Sequence, residues 1–312
     1  MTRIGVTCGG EWWGNDVFRE VERVGFDSIF TGEHIVFHRP ILESVSVVAA
    51  LAAITHRVDI GMAAIMLPLR QPTILAKELA SIDFISGGRL VVTGGVGGDY
   101  PKEFEACGVP MARRGRRTTE MVEIMRRYWS GELFSYHGEI FDFTDVSMDP
   151  PPPSPGGPRI WLAGRSDASI RRSVLHGDSY MPYMYTPEQC REAWLRLRAA
   201  SDQLGQPLRP GFIMSALIYV SLQDDEKYAR RLAIEDLAWR YNQPFDRIVE
   251  RYCVYGNLDQ VLTGIKAYVD AGVNYPVLQL VRERGAIAET VARYGEEIVP
   301  TVHEFAAAEV DD

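Results

Sequence analysis

The sequence predicts an α/β fold: a single (β/α)8 TIM barrel in which parallel strands alternate with helices. Two observations carry this prediction. Short apolar runs recur along the chain, and most of the segments between them have helical spacing. The chain has 312 residues, enough for a barrel of about 250 residues. The eight predicted strands span residues 3–8, 26–31, 58–65, 89–96, 159–163, 178–182, 212–221 and 276–281.

Four of the connecting segments carry apolar residues along one helical face. In the last of them, the apolar residues from Ile287 to Phe305 fall on one stripe. An open, doubly wound sheet is the competing fold, but its first turn usually carries a G-x-G-x-x-G phosphate motif. The turn over residues 7–13 lacks that motif, so the barrel is favoured. The helical segments are 110–130, 187–204, 258–271 and 287–305.

An insertion interrupts the alternation before the fifth strand. Residues 131–147 have the pattern of a hairpin that turns near His137 and Gly138. A Pro-rich loop follows at 150–158, with six prolines and two glycines in nine residues. Such a segment could link two domains, because proline favours extended spacers. The second half only continues the strand–helix alternation, however, so one domain is predicted over residues 1–312.

Composition and charge exclude several classes of protein. The net charge of −9 argues against a nucleic-acid binder, which needs clustered Lys and Arg. The four cysteines are scattered without a C-x-x-C pair, a pattern typical of free thiols in a reducing compartment. No signal peptide and no long apolar segment is apparent, so a cytoplasmic protein without membrane partners is expected.

The second predicted strand, 26–31, leads directly into Glu33 and His34. Parallel α/β enzymes place their chemistry at the carboxyl ends of buried strands, where an imidazole can act as a general acid or base. The alternative is structural: His34 donates to a backbone carbonyl and Glu33 pairs with an arginine. His34 and His38 would suit a metal only on a helix, which Pro40 disfavours, so no metal is predicted.

Two further strand ends carry small residues. The third strand ends in Met62, Ala63 and Ala64 before Pro68, which leaves room for a flat ligand against the backbone, although simple packing of a barrel layer is the preferred interpretation of these residues alone. The fourth strand runs into a glycine loop at 94–98. Glycines in such density usually mark a close backbone approach or positive φ angles, so this loop is interpreted as a ligand contact.

The fifth strand runs into Gly164, Arg165 and Ser166, where Ser166 or Asp167 could cap a helix. Backbone N–H groups and the helix dipole favour an anion there, so a phosphate site is plausible beside the alternative of an ordinary capped helix. Aromatic residues near strand ends could wall a pocket for a planar ring, although aromatic side chains more often fill cores. These residues are Trp12, Trp13, Phe37, Tyr183 and Tyr185.

Several stretches, in this order and spacing, resemble the bacterial-luciferase-like family of flavin-type oxidoreductases, particularly members that use the deazaflavin F420. The resemblance runs from about residue 3 to residue 305. The stretches that carry it are Gly25-Phe26-Asp27-Ser28 through Glu33-His34, Leu67-Pro68-Leu69-Arg70-Gln71-Pro72, Ser86-Gly87-Gly88-Arg89-Leu90, Glu103-Phe104-Glu105-Ala106-Cys107-Gly108-Val109-Pro110 and Tyr136-His137-Gly138-Glu139-Ile140-Phe141.

The resemblance implies a barrel that binds a flavin or deazaflavin at its carboxyl-end mouth. It places a non-proline cis peptide near residues 62–64, behind the central ring, and an acidic residue and a histidine at Glu33 and His34, close to the reactive carbon. It also implies cofactor contacts on the ring side and the phosphate side. The residues at these contacts are Gly95, Gly97 and Gly98 for the ring, and Gly164, Arg165 and Ser166 for the phosphate.

The predicted function is hydride transfer between F420 and a small organic substrate, with His34 stabilising charge or moving a proton and Glu33 orienting it. With FMN instead, the family activates O2 for monooxygenation. A flavin-binding barrel without catalysis remains a further alternative, whereas a metal-dependent hydrolase is disfavoured because only His34 is a clear ligand candidate. A homodimer is expected from the resemblance.

Overall fold

The barrel is closed by eight parallel strands. The computed structural model describes residues 2–306. Each barrel strand coincides with one of the eight predicted apolar runs, which confirms the predicted fold class. The barrel strands are β1 (Gly5–Thr7), β2 (Ser28–Thr31), β3 (Asp59–Met66), β4 (Leu90–Gly95), β7 (Arg159–Ala163), β8 (Ser179–Met181), β9 (Ile213–Leu222) and β11 (Tyr275–Leu280).

Parallel pairing connects these strands in chain order, from β1 through β4 and then through β7, β8 and β9 to β11. The ring closes between β11 and β1, where Val6 lies opposite Leu278. A closed ring leaves no exposed strand edge. All carboxyl ends therefore point to the same mouth, where side chains from distant parts of the chain can meet.

Successive side chains of each strand point alternately into the barrel interior and out toward the helices. Large inward side chains from several strands pack together inside the barrel, and Trp161 contacts both Phe30 and Tyr275 with ring centroids 5.4 Å apart. Because side chains on a strand repeat every second residue, the next inward layer lies two residues closer to the mouth. That layer is small or polar, and it includes Thr93, Ala163 and Gln279. A cavity therefore opens above the packed interior.

The helices cover the outside of the barrel, and their ends follow local sequence signals. The helix over Pro187–Leu204, for example, begins with a capping box between Thr186 and Gln189 and ends at Gly205 in the left-handed conformation. The helices are α1 (Asn15–Arg23), α2 (Ser44–Ile54), α3 (Pro72–Ser86), α4 (Pro101–Ala106), α5 (Arg114–Trp129), α6 (Asp167–His176), α7 (Pro187–Leu204), α8 (Glu226–Tyr241), α9 (Val249–Tyr252), α10 (Leu258–Asp270), α11 (Ile287–Glu297) and α12 (Val299–Glu304), with a 3₁₀ turn over Leu67–Leu69.

The last predicted helical stripe is divided in two. α11 ends at Glu297 and α12 begins at Val299, with Pro300 in its first turn. Proline lacks an N–H group and is tolerated in the first turn of a helix but not in its interior. The apolar stripe from Ile287 to Phe305 therefore continues across a helix break.

The insertion before the fifth barrel strand forms the predicted hairpin, with β5 (Phe134–His137) antiparallel to β6 (Asp142–Val146). The Pro-rich loop then leads into β7, and its first peptide bond, Asp149–Pro150, is cis. One strand was not predicted: β10 (Cys253–Gly256) pairs with the end of β9. A run of four residues directly after a short helix gives too weak a pattern to detect.

No helix within residues 2–306 is both long enough and apolar enough to cross a bilayer. The predicted single domain over 1–312 stays a prediction, and its terminal residues 1 and 307–312 lie outside the described part of the chain.

Candidate cofactor and catalytic site

A cavity of about 320 Å³ lies at the carboxyl-end mouth of the barrel. Such a volume is at the lower end of the range for small-molecule and cofactor sites, about 300–1,000 Å³. Most of the residues predicted for the site line this cavity. They are Glu33, His34, Phe37, Ala63, Ala64, Gly95, Gly97, Gly98, Gly164, Arg165 and Tyr183.

His34 is held between a carboxylate and an aromatic ring. Its Nδ1 lies 3.0 Å from Oε2 of Glu103, which is almost fully buried in the first turn of α4. The imidazole stacks on Phe37 with ring centroids 3.6 Å apart. Because a carboxylate accepts and does not donate, Nδ1 carries the hydrogen of this contact, which leaves Nε2 as the nitrogen that can accept or release a proton.

Glu33 is bound to the scaffold and not to His34. Its carboxylate forms an ion pair with Arg70 and accepts hydrogen bonds from the Ser44 hydroxyl at 2.8 Å and from the Met66 N–H at 2.6 Å. The sequence predicted that Glu33 orients His34. In the structure Glu103 contacts His34 instead, and Glu33 pairs with Arg70. Glu33 instead ties the end of β2 to the end of β3 and to the start of α2.

The end of β3 carries a cis peptide bond between Ala63 and Ala64, at the position that the resemblance implied. The register between β3 and β4 shifts at this point, so the strand bulges. Ala63 and Ala64 line the cavity. Met62 points away from it, because its side chain is fully buried in the hydrophobic core.

The glycine loop adopts backbone conformations that other residues rarely take. Gly97 has a φ of +59° and Gly98 a φ of +122°. A Cβ at Gly97 would lie 3.0 Å from Met66 Sδ, and one at Gly98 would lie 3.0 Å from Arg114 Nε. The glycines are therefore required both by positive φ and by close packing. Gly95 is the last residue of β4 and also lines the cavity.

The turn after β7 divides its residues between the cavity and a helix. Gly164 and Arg165 line the cavity. Ser166 caps α6, accepting a hydrogen bond from the Ser169 N–H at 3.2 Å. Asp167 lies away from the cavity in an ion pair with Arg196, at 2.7 Å.

The predicted aromatic wall is present only in part. Phe37 and Tyr183 line the cavity, and burial raises the pKa of the Tyr183 hydroxyl. Trp12 and Trp13 do not belong to the cavity wall; both pack on Phe18 of α1, with centroid distances of 4.9 Å and 5.7 Å. Tyr185 also lies outside the wall, and its hydroxyl donates to the Arg165 carbonyl at 3.3 Å.

The opposite wall was missed by the sequence analysis. It contains polar and charged side chains from the β2–α2 connection, β9, α8 and β11, none of which forms a local motif. Of these residues, only Gln279 could have been recognised from the sequence. It lies at an inward position of a predicted strand, and a buried polar residue is unusual there. The missed residues of this wall are Arg39, Tyr219, Arg240, Tyr241 and Gln279.

Within residues 2–306, no group of three or more His, Cys, Asp or Glu side chains lies close enough together to hold a metal ion. His38 is exposed, and its Nε2 lies 3.4 Å from the Trp239 carbonyl.

A closed parallel barrel with a small-molecule cavity at its carboxyl-end mouth is the architecture of the α/β-barrel enzyme families. A family model described as luciferase-like monooxygenase matches residues 15–275. The chain belongs to this family, which confirms the resemblance seen in the sequence.

Individual relatives are more distant. The chain is 32% identical over 169 residues to an uncharacterized protein of Mycobacterium tuberculosis, a match that covers 54% of this chain and 57% of that protein. It is 30% identical over 199 residues to an FMNH2-dependent dimethylsulfone monooxygenase of Pseudomonas putida, covering 63% of this chain and 53% of that protein. The chain thus spans about half the length of the curated relatives it matches.

Among solved structures, an F420-dependent secondary alcohol dehydrogenase in complex with an F420–acetone adduct superimposes with a TM-score of 0.84. The superposition covers 96% of this chain and 99% of that chain at 18% identity, so it supports the fold.

Proposed function

We propose that this chain is an oxidoreductase that binds the deazaflavin F420 in the mouth of its barrel and transfers a hydride between it and a small organic substrate. The observation that carries the proposal is the contact between His34 and Glu103 at the cavity. A hydride transfer that makes or consumes a hydroxyl group needs a proton donor or acceptor beside the reacting carbon. The His34–Glu103 pair is suited to that task.

The residues of the cavity fit a flat ring system. Ala63, Ala64 and Gly97 form a wall with little side-chain volume, against which a planar ring can pack. Thr93 Oγ1 belongs to a cavity-lining residue and is buried without a hydrogen-bond partner in the described chain, as a polar group that awaits a ligand would be.

In this proposal, the two sides of the cavity hold different parts of the cofactor. Ala63, Ala64 and the glycine loop would contact the ring, while Gly164 and Arg165 would lie on the phosphate side, at the start of α6. When bound, the cofactor supplies or accepts the hydride. The protein supplies position, a proton and shelter from water.

His34 would transfer the proton. Phe37 stacks beneath the imidazole and fixes its plane, and Glu103 fixes its tautomer and stabilises the imidazolium when it forms. Ile35 donates its backbone N–H to the same Glu103 carboxylate at 2.6 Å, so the loop that carries His34 is anchored by the same group.

A second candidate function is FMN-dependent monooxygenation. It is favoured by the 30% identity to the dimethylsulfone monooxygenase. In that case the same cavity would hold FMN, and the exclusion of water would matter more than proton transfer.

Titration of the purified protein with F420 and, separately, with FMN distinguishes the two functions, with fluorescence quenching as the measurement. We expect tight F420 binding and weak or no FMN binding. The opposite preference would favour the monooxygenase, and binding of neither cofactor would contradict both functions. Binding of a cofactor without turnover of any alcohol, carbonyl or sulfone substrate would favour a barrel without catalysis.

A further inference from the structure

Arg39 is a half-buried cation without an anionic partner in the described part of the chain. It lines the cavity and lies in the connection between β2 and α2, with its Cζ 5.1 Å from the ring centre of Trp239 and 6.0 Å from that of Phe37. Its Nε and Nη1 are buried and have no hydrogen-bond partner within residues 2–306. Among the described residues, its Nη2 donates only to the Gly9 carbonyl, at 3.4 Å.

A second guanidinium adds to the positive charge of this wall. Arg240, almost fully buried, forms an ion pair with Asp236 at 2.5 Å. Within residues 2–306 Arg39 has no such carboxylate, so the wall carries one positive charge in excess. Burial, and then repulsion by Arg240, lowers the pKa of Arg39. A protein keeps an uncompensated charge in a desolvated position at a cost in stability, and such a cost is typical of ligand sites.

Neutral hydrogen-bond groups accompany the two arginines. Gln279 is almost fully buried, and its Nε2 lacks a partner within residues 2–306. A Cβ at Gly9 would lie 2.8 Å from Gln279 Oε1 and 3.0 Å from Arg240 Nη1, so a glycine is needed there for both side chains to pack this close to the backbone. The hydroxyls of Tyr219 and Tyr241 are 2.6 Å apart in the same wall. Burial raises the pKa of both well above the usual value, so they remain hydrogen-bond donors.

We propose that Arg39, assisted by Arg240 and Gln279, binds an anionic oxygen-bearing group of the substrate: a carboxylate, a sulfonate or a phosphate. The inference rests on the proposed function in so far as it assigns the remainder of the cavity to the cofactor. An oxyanion would supply the acceptors that the Arg39 guanidinium lacks, and arginine is the side chain whose planar fork matches such groups.

The position of this subsite suits the substrate better than the cofactor phosphate. Phe37 contacts both the His34 ring and the Arg39 guanidinium, so the anionic group would lie close to the proton-transfer residue. Arg165, the candidate for the cofactor phosphate, lies at the start of α6. The Arg39 wall also borders a larger cleft of about 830 Å³, because Arg240 lines both the cavity and that cleft. The substrate is therefore expected to be a small organic acid.

The test is calorimetric binding of acetate, methanesulfonate and inorganic phosphate to the full chain, without cofactor and with a saturating amount of it. Acetamide serves as the neutral probe. We expect at least one anion to bind and acetamide not to bind. Arg39→Met should weaken anion binding by roughly tenfold or more, as expected for a charged hydrogen bond, and leave cofactor affinity unchanged.

A control variant and a stability measurement complete the test. Arg231→Met removes the same charge from the larger cleft and should leave anion affinity unchanged. Two guanidinium nitrogens of Arg39 are buried without a partner in the described chain, so the Tm of Arg39→Met should be no lower than that of the wild type. Such a Tm would establish that the variant is folded.

Three outcomes would overturn the inference: no anion binding to the wild type, equal anion affinity in Arg39→Met, or a parallel loss of cofactor affinity in that variant. Anion binding that depends on Arg39 in a protein that binds neither F420 nor FMN would support the subsite while contradicting the proposed function. The two failures are therefore distinguishable.

Discussion

His34 and Glu103 are 69 residues apart in the chain, yet His34 Nδ1 and Glu103 Oε2 lie 3.0 Å apart in the structure. The other oxygen of the same carboxylate accepts the backbone N–H groups of Ile35 and Val36, at 2.6 Å and 3.3 Å. One buried side chain of α4 thus holds both the imidazole ring and the loop that presents it.

The first prediction concerns Glu103→Gln. The amide cannot stabilise an imidazolium as a carboxylate does, so kcat should fall by roughly tenfold to a hundredfold. KM and cofactor affinity should change much less, because Glu103 acts on substrate and cofactor through His34. Steady-state kinetics, together with cofactor titration, measure the difference.

The matched control is Glu105→Gln, which changes an exposed carboxylate of the same short helix. We expect wild-type kinetics from it. An unchanged kcat in Glu103→Gln would remove the pair from the proposed mechanism, whereas a rise in KM alone would assign Glu103 to substrate binding.

The second prediction concerns His34→Ala. Loss of the imidazole should lower kcat by roughly a hundredfold or more, the usual contribution of a general acid or base. Cofactor affinity should be retained, because the ring contacts of the proposal come from other residues. Phe37→Leu is the companion variant: it keeps the imidazole and removes its stacking partner, so a smaller loss is expected. Wild-type turnover in His34→Ala would exclude proton transfer by this residue.

The barrel scaffold was more predictable from the sequence than the partners of the cavity residues were. Eight apolar runs located the eight barrel strands, because burial of a parallel strand on both faces is visible as a local pattern. Strand β10 and the helix break at Ile298 were not predicted. A four-residue strand is too short to show a pattern, and an apolar stripe that continues across a proline does not change at the break.

Residues that line the cavity could be predicted where the backbone conformation requires a particular residue type, as at Gly97 and Gly98. Their pairing could not be predicted. Glu33 lies next to His34 in the chain, and the sequence favoured that neighbour, but the backbone turns its carboxylate toward Arg70. Glu103 belongs to a stretch that carries the family resemblance, so a signal existed without indicating a partner. Arg39 and Arg240 line the same wall only because the barrel closes, and no local sequence pattern indicates which residues that closure brings together.

The third prediction concerns the glycine loop. Gly97→Ala should cost about 1 kcal/mol of stability, because its φ of +59° is unfavourable for alanine. It should also weaken cofactor binding by roughly tenfold, because a displaced loop can no longer approach a ring closely. Thermal denaturation and cofactor titration report the two effects separately.

Gly87→Ala is the control for the effect of placing alanine at a positive φ angle. Gly87 has a similar φ of +68° and caps the C-terminus of α3, and a Cβ at this position would meet no atom of the other described residues, chain neighbours aside, within 4 Å. We expect a loss of stability no larger than that of Gly97→Ala, together with normal cofactor affinity. Equal affinity in the two variants would show that the loop does not contact the cofactor.

The fourth prediction separates the structural from the catalytic interpretation of Glu33. Its carboxylate is fully buried and joins Arg70, Ser44 and Met66. Glu33→Gln should therefore lower the free energy of unfolding by about 3 kcal/mol, the usual scale for breaking a buried ion pair. Glu139→Gln, which breaks an exposed pair with Arg113, should cost less than about 1 kcal/mol. Lost turnover with unchanged stability in Glu33→Gln would restore the catalytic role.

The last prediction concerns pH and Glu43, which caps α2. Burial raises its pKa, but hydrogen bonds from Ser46, Val45 and Arg70 outweigh that effect and lower the pKa to about 2. The pKa of Glu in an unfolded chain is about 4.3, so as the pH falls the unfolded chain binds the proton first. The contribution of Glu43 to stability is therefore complete above the unfolded value and is lost as the pH falls toward the folded value.

Glu43→Gln should consequently lower Tm at neutral pH and reduce the fall in Tm between about pH 5 and about pH 3. Glu192→Gln, which removes an exposed carboxylate from α7, controls for the loss of one charge and should keep the wild-type slope. Calorimetric melting curves across this range provide the measurement. Identical slopes for Glu43→Gln and the wild type would mean that the cap and the Arg70 contact do not stabilise the ionised carboxylate, because a group whose pKa is the same in both states contributes nothing to the pH dependence of unfolding.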